Sequence, residues 1–145
     1  MVVRWWRVVS VFCLLWLPGA GLADWRSYTD DQGRATVGAL DGSASVGLML
    51  DCARLITLVT PDTFAPGASG LRGEYDNGLS FRVEARVPQH HPHTLDLVRA
   101  DQIDALIRGL QNRHALALTD PNGKVYAFDL AGFASVWRAA CGGVG

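Results

Sequence analysis

The chain has 145 residues, 49% of them hydrophobic, and sets 13 basic against 14 acidic side chains for a net charge of −1. A balance this even argues against a surface built to hold nucleic acid. The length suits one domain and leaves no second one to look for.

The first 23 residues read as a secretory leader. Arg4 and Arg7 give a positive start, and no acidic residue precedes Asp24. Val8 to Leu17 is apolar apart from Ser10, Pro18 and Gly19 break the run, and Gly21-Leu22-Ala23 places small residues where a signal peptidase reads them. A spanning helix needs about 20 apolar residues, roughly twice what this run provides. Cys13 sits behind Phe12 inside the apolar run, which does not fit a lipoprotein. The expectation is a periplasmic product, residues 24–145, that does not span the membrane. It keeps all 14 acidic groups and loses Arg4 and Arg7, which leaves 11 basic ones and a net charge of −3.

Cleavage also removes Cys13 and leaves Cys52 and Cys141 as an even pair in an oxidising compartment, where a disulfide is expected. Two buried thiols or a metal pair are the other readings, although no C-x-x-C is present.

The dominant period is two. Asp30-Asp31-Gln32-Gly33 is a turn, Leu48, Leu50 and Cys52 share one face of a strand, and Leu55 to Thr60 forms another. Pro61 to Gly70 holds two Pro and two Gly and reads as a surface loop. After a strand from Leu71, Asp76-Asn77-Gly78 carries the Asn-Gly pair of two-residue hairpins, where both central residues take positive φ. Phe81, Val83, Ala85 and Val87 alternate with Arg82, Glu84 and Arg86, as in a strand with one wet face. A loop leads to a strand near Thr94. Asp101 is placed to cap a helix whose stripe is Ile103, Leu106, Ile107 and Leu110. Leu116 and Leu118 begin a hairpin that turns at Asp120-Pro121-Asn122-Gly123 and returns through Val125 to Leu130. Phe133, Val136, Trp137 and Ala140 stripe a last helix, with Cys141 beside them and Gly142-Gly143 as a glycine C-cap. The sum is an α+β domain of seven to nine strands, a mostly antiparallel β-sandwich or half-barrel. It has one inserted helix (about 101–112) and a C-terminal helix (about 132–141).

Chemistry-bearing residues are few. His90, His91 and His93 offer nitrogen ligands for Zn²⁺ or Cu²⁺ if His114 or a carboxylate completes the set. Pro88 and Pro92 favour a connecting loop instead, so no metal ligand and no cofactor is assigned. Gly67-Ala68-Ser69-Gly70 lacks the G-x-S-x-G spacing of an exposed serine nucleophile, and a cysteine nucleophile would compete with the disulfide. Asp62, Glu74, Asp76, Asp96 and Asp129 are scattered, with separations that sequence does not give. Phosphate-loop, dinucleotide and calcium-loop motifs are missing. Trp25 either binds a ligand or packs the first strand. The Pro61–Gly70 loop and the Asp76–Gly78 tip are candidate recognition surfaces.

The order of features is a further guide. Trp25 opens the exported part, Leu48 to Cys52 delivers a cysteine, and a strand runs to an acidic turn at Asp76. The helix around Ile103–Leu110 follows, and the chain closes with Phe128-Asp129-Leu130-Ala131-Gly132-Phe133 and Cys141. This resembles the TagO/VasI-like periplasmic proteins associated with type VI secretion and, more distantly, the invasion-associated locus B family, whose extra cysteine pair is missing here. The resemblance implies a non-enzymatic accessory protein of the envelope or of a secretion system, with Cys52 and Cys141 structural and no catalytic residues. The alternative is a metal-handling protein using His90, His91 and His93, and the third reading is a secreted hydrolase or lyase.

Overall fold

The computed structural model describes residues 24–142, so the leader expected at 1–23 and Gly143 lie outside the described residues. Nine strands appear in chain order: β1 (Arg26–Thr29), β2 (Ala35–Leu40), β3 (Gly47–Asp51), β4 (Ile56–Val59), β5 (Gly67–Tyr75), β6 (Ser80–Val87), β7 (Thr94–Leu97), β8 (Ala115–Thr119) and β9 (Val125–Asp129). Helix α1 (Ala100–Asn112) lies between β7 and β8, and α2 (Phe133–Cys141) follows β9. All the pairings are antiparallel, and they join the strands into one sheet ordered β9-β8-β5-β6-β7-β4-β3-β2-β1. The mixed α+β class holds, with the strands in a single continuous sheet.

One face of that sheet makes the core. Val37, Leu48, Leu50, Ile56, Leu58, Leu71, Val83, Val87, Leu95, Leu116, Leu118 and Phe128 are buried at alternate positions, as a half-wet strand requires. α1 adds Ile103, Leu106, Ile107 and Leu110 to the same core, and carries the chain from β7 across to β8, which pairs on the far side of the β5–β6 hairpin. Gly109 lets that helix approach: a Cβ there would stand 2.0 Å from the Tyr75 hydroxyl.

The two ends of the sheet come within bonding reach. Gly42 N, in the β2–β3 turn, donates to Ala127 O of β9 at 3.1 Å. The Trp25 indole Nε1 donates to Asp129 O at 2.8 Å. Carbonyls on the free edge of β9 are thereby satisfied instead of being left as a pairing template. α2 packs at the same place: Phe133 is fully buried, meets Trp25 edge-on at 4.9 Å and stacks on Trp137 at 5.8 Å. Cys141 at the end of α2 is bonded to Cys52 in the β3–β4 turn, with Cα atoms 5.5 Å apart.

Aspartates organise the turns. Asp30, Asp51 and Asp120 each open a three-residue turn, and in each one the Asp N–H donates to the residue four places on. The Asp30 carboxylate accepts Gln32 N and Arg34 N, Asp51 accepts Leu55 N, and Asp120 accepts Asn122 N and Lys124 N. Asp41 does the same for Ser45 N and Val46 N across a four-residue turn. The short acidic side chain copies a backbone acceptor, which is why Asp recurs at this position.

Several local expectations change. The Asp76–Gly78 hairpin has a three-residue loop, in which Tyr75 N donates to Leu79 O and Gly78 alone takes positive φ, at 85°. A type I turn with a left-handed glycine meets the strand twist without forcing Asn77 into that region. Asp101 does not cap α1: the helix begins at Ala100 after Arg99, and Asp101 instead receives the Arg99 guanidinium at 3.1 Å. Gly142 does cap α2, in the right-handed conformation with φ −64°, its N–H donating to Arg138 O. Gly67–Gly70, expected in a loop, forms the first half of β5 opposite Val87 to Glu84. Phe64 of the remaining loop is buried in the core, anchored by its N–H to Pro92 O.

Candidate binding surface

His90, His91 and His93 sit on the exposed β6–β7 loop. The loop folds on its own backbone, with His91 N donating to Pro88 O and Thr94 N to His91 O. His93 Nδ1 lies 2.9 Å from the Asp62 carbonyl, which occupies one of its ring nitrogens. His114 is distant in the fold, exposed at the start of β8, where its N–H meets Asp76 Oδ1. Among the described residues, no three of His, Cys, Asp and Glu gather where they could hold a metal ion. The histidine segment therefore lacks the converging third or fourth ligand that the metal reading requires.

Asp62, Glu74, Asp76, Asp96 and Asp129 are also distributed. Asp62 pairs with Lys124 at 2.9 Å, Asp96 accepts the Thr57 hydroxyl at 2.8 Å, and Asp129 accepts Ala131 N. Asp76 accepts His114 N and Ala115 N, which pins the β5–β6 tip to β8 and holds the Asp76 carboxyl below the usual aspartate range. The tip is thus a structural joint. The tightest buried polar contact involves a pair that sequence reading did not single out: Tyr126 Oη donates to Asp120 Oδ2 at 2.6 Å. Burial, and then that carboxylate, push the Tyr126 phenol far above its ordinary range. Trp25 is 5% exposed and spends its N–H on Asp129 O, so it packs the fold and presents no ring to a ligand.

What remains open is the outer face of the sheet. Over β1–β3, Gly38 and Gly47 leave a hollow of about 540 Å³ rimmed by Tyr28, Leu40 and Met49. Tyr28 and Leu40 are 45% and 52% exposed, and the Tyr28 hydroxyl meets Met49 Sδ at 2.8 Å. Arg26 and Asp24 pair at its edge. Large apolar side chains grouped on a strand face, beside glycines that deepen it, make a surface suited to contact with another protein. Of these three strands only β3 is legible in the sequence, through Leu48 and Leu50, and strand order brings Tyr28, Leu40 and Met49 together on the outer face.

No family model matches this chain, and no curated protein or solved structure matches it either.

Proposed function

We propose that this chain is an exported accessory protein of the bacterial envelope that acts by binding another protein and not by catalysis. The reading rests first on the leader-like segment at residues 1–23. The Cys52–Cys141 bond supports it, because such bonds persist in oxidising compartments. The observation that carries the binding role is the apolar outer face at Tyr28, Leu40 and Met49. Kinship with the TagO/VasI-like proteins is part of the proposal, and a secretion-system or envelope component is the partner it suggests. The hydrogen bonds that bridge β9 to Trp25 and Gly42 support drawing the sheet as a half-barrel.

The test places a photo-cross-linking residue at Leu40 in intact cells, with exposed Arg108 on α1 as the control position. The expected result is release of the protein by osmotic shock and a defined envelope protein captured from Leu40 but not from Arg108. Retention in the cytoplasm, or equal capture from both positions, overturns it.

A further inference from the structure

The three-residue turn at Asp76–Gly78 has a consequence on the outer face. It sets the β5–β6 register so that Arg72 lies directly opposite Arg82, and Arg72 in turn faces Thr119 of β8. A two-residue Asn-Gly turn would have set Arg72 against Val83. Directly opposed side chains start about 5 Å apart, and like charges so placed destabilise the sheet. Among the described residues neither guanidinium has an ion-pair or hydrogen-bond partner. Glu84, two residues from Arg82, faces Arg99 at 3.5 Å. The pair opens onto a hollow of about 560 Å³ that Glu74, Ser80, Thr119 and Val125 also line.

We propose that Arg72 and Arg82 form a site for a phosphate group on the outer face of the sheet. Each guanidinium presents a planar fork of N–H donors. A planar carboxylate pairs edge-on with one fork, whereas the oxygens of a tetrahedral phosphate diverge, so that the two free oxygens of a diester can each face a separate guanidinium. The hydroxyls of Ser80 and Thr119 line the same hollow and add neutral donors. Glu74 offsets one of the two positive charges, so the site suits a monoanion such as a phosphodiester better than a highly charged cluster. The acidity of the whole chain does not oppose this, because the two arginines act at contact distance and charges beyond about 10 Å are screened by salt. A bound phosphate would convert an unfavourable pair into a favourable one. The site needs neither the secretory reading nor the protein partner proposed above.

Thermal unfolding is measured in sodium phosphate and in sodium chloride of equal ionic strength. The proteins are the wild type, Arg72→Gln, Arg82→Gln and, as a control, Arg108→Gln. In chloride, each of the first two substitutions should raise Tm by about 1–5 °C by removing the repulsion. Phosphate raises Tm of folded proteins in general by exclusion from their surface, so the site is read as the excess: the increment over chloride should be larger in the wild type and in Arg108→Gln than in Arg72→Gln and Arg82→Gln. An increment in the wild type no larger than in either of these two variants would overturn the site. Sedimentation with phosphatidylglycerol and phosphatidylcholine vesicles then separates the sources. Binding to phosphatidylglycerol vesicles that needs both arginines assigns the phosphate to a lipid headgroup. A retained phosphate increment without vesicle binding assigns it to a soluble phosphate ester.

Discussion

Removing the Cys52–Cys141 bond is the perturbation whose size follows most directly from the structure. The bond closes a loop between residues 89 positions apart. In the chain-entropy model a loop of that length stabilises the fold by roughly 4–5 kcal/mol, because the unfolded chain loses that much freedom. Single domains are stable by about 5–15 kcal/mol in total, so the bond carries a large share. The effect should be concentrated at α2, whose last residue it ties to the β3–β4 turn. Urea unfolding of Cys52→Ser, Cys141→Ser and the double variant measures it. Each single change should cost nearly the full amount, and the double should cost little more, since either change alone breaks the bond. Hydrogen exchange should show α2 losing protection first. Two single effects that add up to the double effect would refute the shared bond as the source of the stability.

Two further outcomes are specific. Gly109→Ala should destabilise by about 1–3 kcal/mol in spite of its better helix propensity. Its Cβ would stand 2.0 Å from the hydroxyl of Tyr75, which is buried and stacked on Phe81 at 5.1 Å; a variant more stable than wild type in urea would contradict the packing of α1. All three tyrosines, Tyr28, Tyr75 and Tyr126, should titrate above the ordinary phenol value of 10.0, chiefly through burial, with Tyr126 last because Asp120 also accepts a hydrogen bond from its hydroxyl. A raised folded pKa contributes stability that is complete below the unfolded pKa and is lost as pH rises through the folded one. Stability should therefore fall from about pH 10 upward, and phenolate absorbance in Tyr126→Phe should lack the last step. A step in the folded wild type at or below the ordinary value would count against the buried pair.

What the sequence determined by itself is local. Alternation at Phe81, Val83, Ala85 and Val87 marks a half-wet strand, and the stripe Ile103-Leu106-Ile107-Leu110 marks a helix with one buried face. These patterns are legible because side-chain direction repeats with backbone geometry every two or 3.6 residues. The pairing of Cys52 with Cys141 was legible for another reason, since these two cysteines remain once Cys13 is set aside with the expected leader.

The tertiary structure decided what depends on neighbours remote in the chain. Asn77-Gly78 is compatible with two loop lengths; the three-residue one forms here, with the Asp76 carboxylate reaching His114 N and Ala115 N where β8 begins. That choice set the register and brought Arg72 opposite Arg82. Phe64 lies in a segment that reads as a surface loop, yet it is buried, because its partners belong to the core, which no local window displays. Trp25 is committed to Asp129 O, 104 residues away. Register, burial and the meeting of the sheet's two ends are settled by long-range contacts, whose free energy is gained only once the whole domain has closed.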